Sequence, residues 1–321
     1  MVFRAPLREA LEHAGMQLVS LEPVRPGGSV WRATDPQGTW SVRWVPRSEA
    51  AALAATATWL ERLAAAGLAV PNPWRTGAAP ARLVPVGDGV ALVTRWRRGT
   101  SVLELGWDEA RAEALGMLLA RTHLLIAGEP FAGARRYDGA WARGAWQRLA
   151  IERAVPAATA EECAAVCGGL ARAAEALDAA WRGGAGGPVV MVHGDVHAGN
   201  VLEVARVGDR VELALIDVDR AGLAPVGLDL AFALLEHEEP TAWALLRGYR
   251  RWRPIDPGLE GSLSAFRVLA IADNLAFLAA IERERAYVAA AWPTLVAASA
   301  ALAARPGRVG AGRADRSTVS R

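Results

Sequence analysis

One short stretch of this chain carries oxygen-bearing side chains at a chemically useful spacing. An apolar run over 189–192 leads into His193-Gly194-Asp195, Asn200 follows five positions after Asp195, and a second apolar run over 211–216 ends at Asp217. A carboxylate in such a loop can orient a hydroxyl and take its proton. A carboxamide and a second carboxylate can hold a hard divalent cation such as magnesium through oxygen. Phosphoryl transfer from a nucleotide needs both functions, and Asp-x-x-x-x-Asn is the spacing of a kinase catalytic loop. Zinc-dependent hydrolysis is the rival use of the same letters. It calls for further spaced histidines, whereas the chain has five, of which His13, His123 and His237 fall in helical patterns. A plain turn with solvated acids at Asp217 and Asp219 is the reading without function.

These residues must be positioned by their surroundings. Before residue 97, short apolar runs over 18–24, 30–34, 39–45, 82–86 and 90–96 alternate with turn signals at Gly27-Gly28 and Asp35-Pro36-Gln37-Gly38. They predict strands, and the stretch 48–66 predicts one long helix stopped by Gly67. Beyond Gly99 helical patterns take over, at 108–126, 140–155 and 159–181, and again from 218 to 304, around a β-rich island at 189–217. The expected fold is therefore α+β: a small antiparallel-sheet lobe over 1–98, a larger helical lobe over 99–304, and a disordered tail over 305–321 rich in Gly and Arg.

Bulk properties exclude several classes. The formal charge is +2 over 321 residues, and all 36 basic residues are arginine. From Arg305 on there are five arginines and one acid, Asp315, so the body has no basic footprint and no nucleic-acid partner is expected. No uninterrupted apolar run of membrane-spanning length occurs, and the N-terminus lacks a secretory pattern, so no membrane association and a cytoplasmic location are expected. Cys163 and Cys167 are four apart, which is neither a redox pair nor half of a zinc site.

The block His193-Gly-Asp-Val-His-Ala-Gly-Asn200, followed by Ile216-Asp-Val-Asp-Arg-Ala-Gly and Gly227-Leu-Asp-Leu-Ala231, resembles the signature of aminoglycoside phosphotransferase and choline-kinase-like enzymes, small-molecule kinases with a protein-kinase-like fold. The resemblance implies an ATP- and Mg2+-dependent transfer of the γ-phosphoryl group to a hydroxyl of a small molecule: an aminoglycoside-like antibiotic, an amino alcohol or a sugar. It implies Asp195 as the catalytic residue, Asn200 and Asp217 as metal ligands, and His193 and Asp229 as loop supports. For the nucleotide it implies the turn Gly27, Gly28 and Ser29, the strand residue Arg43 where the family usually has lysine, and the linker at Arg95 and Arg97. Glu49 is the candidate acid to hold Arg43. The acceptor would meet polar and aromatic groups after residue 230, among them Glu236, His237, Asp273, Trp243, Trp252 and Trp292. The altered Arg43 and Glu49 region leaves a second class open, a catalytically weak, nucleotide-binding pseudokinase with a regulatory role. The short stretch from Asp217 to Asp229 has no room for the activation loop of a protein kinase.

Overall fold

Alternation of apolar and polar side chains builds the N-terminal sheet. In the computed structural model, which describes residues 4–25, 28–75, 83–128, 130–149, 155, 157–183 and 185–304, strands β1 (Ser20–Pro23), β2 (Val30–Asp35), β3 (Gly38–Pro46), β4 (Val84–Val86) and β5 (Gly89–Arg95) form one sheet in the order β1-β2-β3-β5-β4. Every pairing is antiparallel. The β2–β3 turn is fixed by Asp35, whose Oδ1 accepts from the amides of Gln37 and Gly38 and from the Trp40 indole, each at 2.9 Å.

Period-two alternation gives this sheet two different faces. Trp31, Ala33, Trp40, Val42, Ala91 and Val93 are buried on one face, together with Leu7 and Leu11 of helix α1 (Arg4–His13). Residues of opposite parity, Val30, Ser41, Arg43, Leu92 and Thr94, point to the other face and line a cavity of about 300 Å3. Helix α2 (Ala50–Ala65) contributes Leu53 and Thr56 to the same cavity.

Past the sheet come β6 (Thr100–Ser101), α3 (Val102–Leu105), α4 (Glu109–Leu125), β7 (Arg135–Arg136), α5 (Gly139–Arg143), α6 (Ala145–Leu149) and α7 (Ala160–Trp181). Then follow β8 (Val189–Val192), β9 (Val201–Val207), β10 (Arg210–Leu215), β11 (Gly222–Pro225), α8 (Val226–Leu234), α9 (Thr241–Arg250), α10 (Pro257–Ala279) and α11 (Arg285–Ala304). The expected α+β class holds, with an antiparallel sheet at the N-terminal end and helices dominating the C-terminal end. The helix expected over 140–155 is instead broken at Gly144 into α5 and α6; residues 150–154 lie outside the described residues, as does the expected tail from 305 on.

Contacts divide the chain elsewhere than at residue 98. Residues up to Tyr137 together with Pro188–Pro257 form one compact unit, and Asp138–Gly187 together with the chain from Gly258 form another. The linker belongs inside the first unit because β6 pairs with β9, Thr100 opposite Glu203 and Ser101 opposite Leu202. In that unit α4 crosses α9 with glycine on each side: a Cβ on Gly116 would lie 2.0 Å from the Leu245 carbonyl oxygen, and one on Gly248 2.0 Å from that of Glu113. In the second unit α7 opens with a capping box, Thr159 and Glu162 each bonding the other's amide, which satisfies helix-end donors. Gly169 of α7 lies against Ser299 of α11. Two helical stretches here, Pro257–Ala279 and Glu282–Ala304, are long and apolar enough by length and composition to cross a membrane, and the former is mostly buried, as a core helix is.

The glycine crossing makes a paired prediction. Gly116→Ala overpacks the helix contact and is expected to cost about 3 kcal/mol, the upper range for such insertions. Gly168→Ala, on the exposed face of α7 with nothing within 4 Å of a new Cβ, is expected to stabilise by about 0.5–1 kcal/mol through helix propensity. Denaturant unfolding of both variants checks the contrast; equal effects would show that the crossing is loosely packed.

Candidate active site

The apolar strand β8, with Val190, Met191 and Val192 buried, ends in a loop that is suspended on a single carboxylate. Asp229, in the first turn of α8, accepts from the His193 amide at 2.8 Å through Oδ2 and from the Gly194 amide at 2.8 Å through Oδ1. His123 of α4 adds its Nε2 at 3.1 Å, and His123 Nδ1 meets the Tyr249 hydroxyl at 3.0 Å. Asp229 is fully buried. Burial works against its charge, but the His123 contact and the loop amides outweigh it and hold the carboxyl below the usual carboxylate range. Gly194 is required by geometry: its φ is +75°, and a Cβ would stand 2.4 Å from the Arg220 carbonyl oxygen. His193 is buried and bonds the Ile216 carbonyl oxygen through Nε2 at 2.9 Å, so that nitrogen carries the proton.

The same loop then presents Asp195. Asn200 Nδ2 donates both to the Asp195 backbone carbonyl at 3.0 Å and to Asp195 Oδ2 at 3.1 Å. Arg220 Nη1 lies 3.4 Å from Asp195 Oδ1, and His197 Nε2 lies 3.8 Å from Asp195 Oδ2. His197 Nδ1 accepts from the Gly199 amide at 3.1 Å; a neutral ring therefore keeps its proton on Nε2, toward Asp195. A second carboxylate closes the far end of the loop: Glu236 Oε2 accepts from the Ala198 amide at 2.6 Å and lies 3.4 Å from the Trp107 indole nitrogen.

Asp217 follows β10 with φ +58°, the one positive value at a non-glycine residue among the described residues; aspartate tolerates it better than most side chains. Asp217, Asp219 and Arg43 all line the sheet-side cavity. Arg43 Nη1 contacts Asp219 Oδ2. Burial and the adjacent Asp217 carboxylate push the Asp219 carboxyl upward, and the Arg43 guanidinium opposes them.

The structure thus brings together Asp195 and Asn200 in one loop, with His193 and Asp229 behind it, and Asp217 with Arg43 in the cavity. Of the glycine turn, the described residues Gly28 and Ser29 are not among those lining the cavity. Gly27 lies outside the described residues, the Gly28 amide closes the turn on the Arg25 carbonyl oxygen at 3.0 Å, and the Ser29 carbonyl accepts from the Trp44 amide at 3.0 Å. Val24 and Val30 on either side line the cavity instead. Arg95 and Arg97 line it too, with their guanidinium groups committed elsewhere: Arg95 donates to the Gln37 carbonyl at 2.7 Å and covers the Trp40 ring, and Arg97 Nε donates to the Val70 carbonyl at 2.7 Å. Glu49 does not meet Arg43; it lies 3.9 Å from Arg135.

Several contacts escaped the sequence reading. Arg220, which touches Asp195, stands three positions past Asp217, and the run Asp217-Val-Asp-Arg220 could have pointed to it. Glu236 was expected among the acceptor contacts and instead ties the catalytic loop. His237 beside it is buried, its ring 4.4 Å from that of Trp107 and both nitrogens without partners among the described residues. Trp252 carries Arg121 over its ring, and Trp292 reaches Glu162 at 3.4 Å.

Comparison with known proteins gives the family and the fold. The sequence model of the phosphotransferase enzyme family matches residues 20–258, and the chain belongs to that family. Solved structures with the same fold include a microcompartment-associated aminopropanol kinase, 18% identical with a TM-score of 0.69 over 93% of this chain and 96% of that one. An amicoumacin kinase in complex with AMP-PNP, Ca2+ and Ami is 18% identical, TM-score 0.63, over 90% and 93%. The choline kinase of Streptococcus pneumoniae is 13% identical, TM-score 0.61, over 92% and 99%. A search of curated proteins finds no match.

The buried imidazole gives a pH prediction. Burial lowers the His237 pKa from 6.5 to about 4. The unfolded chain then binds a proton there first as the pH falls, so stability is lost from about pH 6.5 down to about pH 4 and is fully present above. At most about 3 kcal/mol is involved. His237→Phe should flatten the melting temperature against pH in that window; an unchanged profile would assign the acid sensitivity to other groups.

Proposed function

We propose that this chain transfers the γ-phosphoryl group of ATP to a hydroxyl of a small molecule. The observation that carries the reading is the hydrogen bond from Asn200 Nδ2 to Asp195 Oδ2, in a loop whose amides are anchored on Asp229. That arrangement supports a rigid catalytic carboxylate, and rigidity of the reacting group is what phosphoryl transfer asks of a protein. Asp195 orients the acceptor hydroxyl and takes up its proton. His197 and Arg220 flank it.

The donor set fits magnesium. Asn200 spends its amide nitrogen on Asp195, so its oxygen remains to accept a cation, and Asp217 adds a carboxylate; two such oxygen ligands with substrate phosphates make an ordinary magnesium site. When bound, the ion neutralises charge on the phosphates. Asn200 and Asp217 would hold it, Arg43 would bind phosphate oxygens, and the linker over 95–97 would receive the adenine by its backbone. Because the Arg95 and Trp96 amides already donate to the carbonyl oxygens of Asn72 and Thr39, the adenine is left the Arg97 amide and the carbonyl edge.

Two observations argue against the alternatives. The stretch from Asp217 to Asp229 is occupied by β11, which pairs with β8 and β7, as expected for an enzyme without an activation loop. The pseudokinase reading rested on an unsupported Arg43, and Asp219 supports it. The aminopropanol, amicoumacin and choline kinases among its structural neighbours favour acceptors of the amino-alcohol and antibiotic kind. A nucleotide-dependent enzyme with both cysteines free fits the cytoplasm.

The direct test is an ATP-consumption screen across aminoglycosides, other antibiotics, amino alcohols and sugars. With a substrate in hand, Asp195→Asn should lower turnover by about 10^2–10^4, as expected for loss of a general base, and leave nucleotide binding intact. Asp217→Ala should remove the magnesium dependence of ATP affinity measured by calorimetry. A near-normal Asp195→Asn enzyme would refute the catalytic assignment, and unchanged metal dependence in Asp217→Ala the metal assignment.

A further inference from the structure

Arg43 has a partner that lies neither on its own sheet nor on the helix that follows it. One arm of its guanidinium, Nη1, contacts Asp219 Oδ2, while Nε is buried without a hydrogen-bond partner among the described residues. The register explains how the fork comes to be divided. Arg43 sits opposite Val30 of β2 and Leu92 of β5, so its side chain leaves the sheet on the cavity face. Helix α2 presents Leu53 and Thr56 to that cavity, and the Thr56 hydroxyl is turned back on the Ala52 carbonyl oxygen at 3.1 Å. No charged group on α2 reaches Arg43, and Glu49 at its start faces Arg135. Asp219, two residues past the turn at Asp217, comes at the guanidinium from the opposite wall.

We propose that Asp219 is the positioning residue for Arg43, pinning one arm of the guanidinium so that the other arm is presented to the phosphates of the nucleotide. The inference rests on the nucleotide-binding reading above. A long arginine side chain has several free torsions, and an anchored fork loses less freedom when it meets an anion. The anchor also joins β3 to the loop that carries Asp217. The groups for phosphate and for metal are then set by one short connection, and neither can shift without the other.

The experiment is a double-mutant cycle on nucleotide affinity, read by calorimetry with ADP in EDTA and with ADP and magnesium. Asp219→Asn is expected to weaken ADP binding about tenfold in EDTA as well as in magnesium, the size of one lost charge-assisted contact. In an Arg43→Ala background the same change should have no further effect, and Asp219→Glu should retain most of the affinity. Thermal melting checks that each variant folds, and Asp219→Ser replaces Asp219→Asn in the cycle if the latter does not. A loss seen only with magnesium would make Asp219 a metal ligand and overturn the proposal. So would losses that multiply in the double variant, or an Asp219→Asn protein that binds metal-free ADP as tightly as the parent or tighter. A parent that binds no nucleotide under either condition would instead remove the functional reading itself, and this inference with it.

Discussion

The catalytic loop depends on one carboxylate that never sees solvent. Asp229 receives two consecutive backbone amides and an imidazole, and this set makes its charge tolerable in the interior. Removing it would leave two buried amides and the His123 Nε2 without partners, a loss of several kcal/mol by the usual accounting for broken buried networks. Its place in the first turn of α8 lets the helix dipole share the charge. The same helix is followed by Glu236, which takes the Ala198 amide. The loop that carries Asp195 and Asn200 is therefore hung from both ends of one short helix, and its conformation follows wherever that helix is packed.

The second constraint is parity. Alternate residues of β2, β3 and β5 belong to the α1-facing core or to the cavity, so the positions of Ser41 and Arg43, of Leu92 and Thr94, are settled once Trp40, Val42, Ala91 and Val93 are buried. A slip of one residue in β3 would bury Arg43 among leucines and turn a tryptophan into the cavity. Burial of the core thus aims Arg43 into the cavity.

Much of this was legible in the sequence because it is local. The strands of the first sheet announce themselves by alternation and by the Asp35–Gly38 turn, and the block from His193 to Asn200 compresses a loop, its histidine and its carboxamide into eight residues. What could not be read is carried by contacts between distant positions. Arg43 with Asp219 and Ala198 with Glu236 are set by how strands and helices pack, and no spacing rule points to them. Strands β7 and β11 are held by two to four paired residues, too short to imprint a pattern. The division into two units, each assembled from separated stretches of chain, is likewise invisible to a reading that runs from one end to the other. Conversely, the glycine turn at 27–28 looked like a phosphate cradle, yet the described part of it spends its amide on closing the turn.

A cavity whose base is a guanidinium differs in reactivity from one that offers an amine. The amine of lysine is nucleophilic once deprotonated and can be acylated, reductively alkylated or captured as an imine. Arginine stays protonated at any pH the fold survives and does none of this. Reagents that mark nucleotide sites by transferring an acyl group to an amine would pass through this pocket without leaving a label, and since the chain has no lysine, they would find no side-chain amine elsewhere on it either.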